Sequence, residues 1–332
     1  MASAAAIIST AKAAAAGTAP AHVSGFASLA TVDWAADLQV LLRTYSEYWY
    51  VTLGCCAGWL AVHFLFALIF SRTNVVASIV GHLRDADLAK GRTAKPDKKY
   101  FYRARYDLYS KATAFVHAVL TSYFAIQAFA SFNPIDDLAV PVIYTNVPYY
   151  NIITQISAGY FLYDFLIAVY DFDLPYIAHG LFSAVIYAHA VYPFCAQIGV
   201  IYLIYEVSTI FVHIRWFLIN TGRAKSLFFD VSQYGFIVCF LLIRMGFGVF
   251  YSFLYFQPML WQLFLAIPVV PHSRIAVALF ALSNLTLNGL NIMWTKMIID
   301  TVRRAAKASK KGKDGKAAAV KQASTAAVKK ID

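Results

Sequence analysis

Residues 233–255 read QYGFIVCFLLIRMGFGVFYSFLY, a run in which Arg244 is the single charged side chain. About 20 residues of helix cross a hydrocarbon core, and the run lacks the alternation of a membrane β-strand. Lipid offers no partner to unpaired backbone groups, so a run of this length is expected to be a helix. Working outward, six further windows have the same character: 48–70, 112–131, 150–170, 175–194, 196–218 and 275–298. The whole chain is 60% hydrophobic, 16% aromatic and 14% charged, with a mean hydropathy of +0.60. That leaves too little charge to cover a soluble surface. The expected class is all-α, a polytopic membrane bundle of about seven transmembrane helices.

The net charge of +11 is unevenly placed. Ten Lys and Arg lie between Arg72 and Lys111, three are Arg215, Arg223 and Lys225, and eleven follow from Lys296 onward. Segments 132–149 and 256–273 carry none. With seven spans every basic cluster falls on one face, which the positive-inside rule assigns to the cytosol. The C-terminus is then cytosolic and the N-terminus lumenal. Clusters placed this way suit anionic lipid, and nucleic acid is not an expected partner. Within the first cluster, Val75, Val76, Ile79, Val80 and Leu83 recur at helical spacing, and Lys98-Lys99-Tyr100-Phe101-Tyr102-Arg103 interleaves base with aromatic, as suits a headgroup layer.

The expected organisation has five parts. A flexible segment covers 1–47, a first span 48–71, a basic interfacial segment 72–111, a six-helix domain 112–299, and a basic, disordered Ala/Lys-rich tail 300–332. Association of the chain with itself is left open.

Ionisable residues at membrane depth cost a few kcal/mol and usually face a bundle interior or a partner. Here they are Asp164, His179, Glu206, His213 and Arg244. The turn from Asp171 to Pro175 forces the third and fourth spans into a hairpin, with Asp164 and His179 in its cytosolic half. Glu206 and Arg244 lie near mid-span on sequential antiparallel helices, and their plain reading is an architectural ion pair. Asn284, Asn288 and Asn291 follow an i, i+4, i+7 spacing and share one face; their plain reading is hydrogen bonding between helices. His117 joins from the second span, while His63 and His189 read as hydrogen-bonded packing residues. No HxxH, HExxH or CxxC spacing is present, so no metal site is expected. No Gly-rich phosphate loop or nucleophile motif appears either.

At these residues the chain resembles the TLC-domain family, shared by ceramide synthases, translocon-associated membrane proteins and small lipid-homeostasis proteins. The resemblance runs from about Ala112 to Ile299. It includes His117, Gly159-Tyr160 with Tyr163-Asp164, the region around His179, Glu206-Val-Ser-Thr followed by Arg215-Trp216, Arg244, and the stretch from Leu287-Asn288 to Met297. It implies an endomembrane protein whose helices form a barrel-like bundle open to an acyl chain. In ceramide synthases paired adjacent histidines serve acyl transfer from acyl-CoA. Here the matching position reads Ala178-His179-Gly180, and His213 replaces the span-five Asn that usually precedes Arg-Trp. The pattern looks most like the small non-synthase branch.

The expected function is therefore lipid or acyl-chain binding in the endoplasmic reticulum membrane, in the service of lipid homeostasis or trafficking, with no cofactor. His117, Glu206, Arg244, Asn284, Asn288 and Asn291 would line the cavity or brace it. The alternative is an acyl-CoA-dependent N-acyltransferase, with His179 as nucleophile or base, assisted by Asp164 and His213.

Overall fold

In the computed structural model, which describes residues 32–92, 97–131, 148–191, 194–266 and 273–328, the first helix starts well before residue 48. Asp33 accepts hydrogen bonds from the Ala35 and Ala36 amides, and this cap opens α1, Trp34–Ser71. The segment expected to be flexible up to residue 47 is therefore helical from Trp34, because a capping carboxylate satisfies the first orphan amides. At 38 residues α1 is about 57 Å long, well beyond what a bilayer core requires.

The basic segment holds α2, Val75–Ala89, and the first turns of α3, Asp97–Ala130. The helical spacing read from the sequence is realised: Val76 and Ile79 are buried with Ala104, Leu108 and Tyr109, and Val75, Val80 and Leu83 pack beside them. Tyr100 donates to Asp87 at 2.9 Å and ties the two helices together. Lys98 lies over the Tyr102 ring and Arg105 over Phe101.

The expected hairpin is α4, Pro148–Asp171, and α5, Leu174–Val191. Phe172 turns the chain in the left-handed region, φ 54°, and its amide bonds back to the Val169 carbonyl. Next come α6, Ala196–Tyr202, a tight 3-10 turn Leu203–Tyr205, and α7, Glu206–Asn220. The 233–255 run lies within α8, Leu227–Cys239, two π-helical stretches at Phe240–Val249 and Ser252–Phe256, and α9, Gln257–Ala266. Segment 256–273, expected outside the membrane, thus begins as helix, and the rest of it up to residue 272 lies outside the described residues. Of the other expected connection, 132–149, only Pro148 and Tyr149 are among the described residues, at the start of α4.

The last helix, α10, runs Arg274–Val328. The tail expected to be disordered continues as helix, since Ala and Lys favour helix locally even where no core is buried. Six described helical stretches are long and apolar enough to span a membrane: 34–71, 98–130, 148–171, 196–220, 227–261 and 274–304. The window expected at 175–194 forms the shorter α5, of 18 residues, and is not among them. The chain divides at Leu290 into two units, the second being Asn291–Asp332.

In the first unit the interior is built from large side chains, among them Trp59, Tyr163, Phe194, Ile198, Leu203, Leu260 and Val277. The outer faces are apolar too. Phe64 is 64% exposed and Leu242 67% exposed, as suits side chains that meet acyl chains rather than water. In the second unit Asp300 pairs with Lys296 at 3.6 Å and with Arg303 at 4.0 Å, and both cations are exposed.

A candidate interior polar site

The 3-10 turn delivers Tyr205 and Glu206 to the interior, and the first turn of α7 places Ser208 and Thr209 beside them. Arg244 reaches this turn from the π-helical stretch opposite. Its Nε donates to Ser208 Oγ at 3.1 Å, and its Nη2 donates to the Tyr205 carbonyl and to Thr209 Oγ1, each at 3.3 Å. The guanidinium also lies 5.2 Å from the ring centroids of both Tyr205 and Phe240. The planar fork of arginine suits several acceptors on one turn, which a lysine would not serve. Gly248, one turn further on, lies against the Tyr205 ring, where a side chain would collide with it. The Glu-x-Ser-Thr element and the distant Arg244 are thus one structural unit. The charges of Glu206 and Arg244 act on each other across it.

His117 is fully buried on α3. Its ring stacks on Tyr160 with centroids 3.6 Å apart and meets Trp59 and Phe161 edge-on. Nε2 lies 3.4 Å from Ser157 Oγ. Nδ1 has no hydrogen-bond partner among the described residues and lies 4.0 Å from Glu206 Oε2. The sequence grouped His117 with Glu206 only loosely, whereas the fold makes them neighbours.

Asp164, His179 and His213 are half-buried. Glu206 and Lys111 lie within electrostatic reach of Asp164, Arg244 of His179, and Lys111 of His213. Lys111 itself sits 5.3 Å from the Trp216 ring centroid. Both ring nitrogens of His213 are shielded and without a partner among the described residues. The His179 ring meets Phe161 edge-on, at 5.9 Å. Glu206 is thus an electrostatic neighbour of Asp164, and Arg244 of His179. Gly180 lies where α5 crosses α4, and a Cβ there would stand 2.6 Å from Phe165 Cα and 2.7 Å from its amide nitrogen.

A second buried network joins span six to α10. Gln257 Nε2 donates to the Ala281 carbonyl and to Asn284 Oδ1, each at 2.9 Å, and Asn288 Nδ2 donates to the same Oδ1 at 3.0 Å. Asn284 Nδ2 reaches Ser252 Oγ at 3.4 Å, and Ser252 bonds Tyr202 OH at 2.7 Å. Asn284 and Asn288 thus behave as their spacing suggests. Asn284-Leu285-Thr286 matches a glycosylation acceptor, and burial of Asn284 keeps it out of reach. Asn291 belongs to the second unit, where its carbonyl accepts from the Thr295 hydroxyl at 2.8 Å. Gln257 escaped the sequence reading because it lay in a stretch taken as extramembrane.

The remaining histidines of the spans hold α1 in place. His63 Nδ1 bonds Tyr163 OH at 2.8 Å, and His189 Nδ1 bonds Tyr45 OH at 2.6 Å. Trp59 Nε1 donates to the Ile156 carbonyl at 3.0 Å. Asp37 was also missed: its carboxylate accepts from Ser273 Oγ, the Arg274 amide and the Ile275 amide, at 2.7, 2.7 and 3.0 Å. It caps the start of α10 from the first helix, and no local spacing announces such a pairing. Arg215 donates from Nε to the Gln233 side-chain carbonyl. Among the described residues no three His, Cys, Asp or Glu side chains are grouped to hold a metal ion.

The residues of this interior lie almost wholly within 108–300, and that range matches the TLC-domain family model. The chain belongs to the TLC-domain family. Its members are membrane-associated proteins linked to lipid homeostasis. The chain is 30% identical over 166 residues to an uncharacterized TLC domain-containing protein of Schizosaccharomyces pombe, covering 48% of this chain and 54% of that one. It is 32% identical over 175 residues to Topoisomerase I damage affected protein 4 of Saccharomyces cerevisiae, covering 50% and 60%. A TLC domain-containing protein 2 of Danio rerio is 29% identical over 128 residues, covering 37% and 50%. The chain thus spans between half and three-fifths of the length of these relatives. No solved structure matches it.

Proposed function

We propose that this TLC-domain protein binds lipid or acyl chains in the endoplasmic reticulum membrane and serves lipid homeostasis or trafficking without catalysis, as in the small non-synthase branch of the family. One observation carries the non-catalytic reading: Gly180 is pressed against the backbone of Phe165. A second histidine beside His179 would need the α4–α5 hairpin to open, so the paired-histidine arrangement of acyl transfer has no room here. The interior polar groups suit a different task, which is to orient a headgroup among apolar walls. The basic clusters at 72–111, 215–225 and 296–330 support a cytosolic C-terminus, a lumenal N-terminus and contact with anionic lipid.

Lipid extraction and mass spectrometry of the purified protein test this reading, with a defined lipid retained beyond the bulk membrane composition as the expected result. In parallel the protein is incubated with acyl-CoA and a panel of amine and hydroxyl acceptors. An acyl product that disappears in His179→Ala would overturn the non-catalytic reading in favour of an N-acyltransferase.

A further inference from the structure

The gap between His117 and Glu206 leaves a fully buried ring nitrogen unsatisfied beside a carboxylate. Nδ1 of His117 has no hydrogen-bond partner among the described residues, and Glu206 Oε2 stands 4.0 Å away, too far for a direct hydrogen bond. The ring has little freedom to close that distance, since Tyr160 stacks on one face and Trp59 and Phe161 abut its edges. Glu206 is held from the other side by the turn that clasps Arg244. A single oxygen about 2.8 Å from each atom spans such a gap.

We propose that this gap seats the hydroxyl group of an uncharged, hydroxyl-bearing lipid. The inference rests on the lipid-binding reading above and names the class of ligand. A hydroxyl both donates and accepts. It would donate to the Glu206 carboxylate and accept from Nδ1–H of His117, while Ser157 donates to Nε2. A fully ionised phosphate has no proton to donate to the Glu206 carboxylate. Arg244 already directs Nε and Nη2 to Ser208, Thr209 and the Tyr205 carbonyl, and Lys111 lies 5.3 Å from the Trp216 ring centroid. The Glu206 carboxylate that accepts from a hydroxyl would repel an anion in the same place. Asp164, which keeps part of its surface exposed, marks the side from which a headgroup enters.

The test uses the full chain in detergent micelles, titrated with dioleoylglycerol and with dioleoylphosphatidate, which share acyl chains and differ in the phosphate. The wild type is expected to bind dioleoylglycerol at least about tenfold more tightly, and His117→Phe, which keeps a ring against Tyr160, to lower that affinity by about tenfold. In wild-type protein carrying 15N-histidine, the His117 ring resonance is expected to shift with dioleoylglycerol and not with dioleoylphosphatidate, a readout independent of whether the variant folds. Saturable dioleoylglycerol binding with an unmoved His117 resonance overturns the seat, with water filling the gap, and leaves lipid binding standing. Tighter binding of dioleoylphosphatidate overturns the ligand class alone. No saturable binding of either lipid, together with no lipid retained on purification, overturns the lipid-binding reading as well.

Discussion

Two polar networks lie in the same apolar interior, and they are built on opposite principles. The one around Gln257, Asn284 and Asn288 is neutral and interlinked through its amide donors, with Gln257 Oε1 left without a partner among the described residues. The one around Glu206 and Arg244 carries formal charge and borders His117, whose Nδ1 has no hydrogen-bond partner among the described residues. Neutral amides join helices at modest cost and modest gain. Buried charges are costly unless paired, and unpartnered nitrogens beside them point to a group that is meant to come and go. The first network reads as a brace, the second as a site.

This contrast can be broken by substitution. The largest effect is expected for Arg244→Ala, which strands Glu206 and removes the donors to Ser208, Thr209 and Tyr205. A loss of about 3–5 kcal/mol is expected, seen as a lowered unfolding temperature in detergent. The double change Arg244→Met with Glu206→Gln should recover much of that loss, because no uncompensated charge remains; no recovery would remove the charge argument. Gly180→Ala is next, at about 1–3 kcal/mol, since its Cβ must displace the Phe165 backbone. If it unfolds like the wild type, the steric case against a paired histidine falls. Asn284→Ala should cost about 1 kcal/mol and leave lipid retention unchanged, as befits a brace. Altered lipid retention there would merge the two networks into one site. The smallest effect, also about 1 kcal/mol or slightly less, is expected for Asp37→Asn, which weakens an anchored cap without removing it, as hydrogen exchange at Arg274 and Ile275 would report.

Much of the fold was legible because the membrane makes composition decisive. The run from Gln233 to Tyr255 had to be helical, and the short turn after Asp171 had to produce a hairpin. The helical spacing from Val75 to Leu83 is realised in α2, and its packing against α3 emerges only from the fold. Errors gathered at the ends of elements, where lipid no longer dictates the answer: α1 begins at its Asp33 cap, α9 carries the helix past residue 256, and α10 continues through an Ala/Lys-rich stretch. The site was legible only in part. Arg244 and Glu206 stood out as charges at membrane depth, but Gln257 and Asp37 looked like ordinary residues of connections, and the π-helical geometry that aims Arg244 has no residue signature.

By itself, then, the sequence determined the class of the protein and the residues that must find partners, because charge and backbone polarity cannot be left unsatisfied in lipid. The tertiary structure alone decided who those partners are. It set Arg244 on the Ser208–Thr209 turn, Asp37 on the start of α10, and His117 across a gap from Glu206. Such pairings join positions tens to hundreds of residues apart, and they depend on how helices cross rather than on any local spacing.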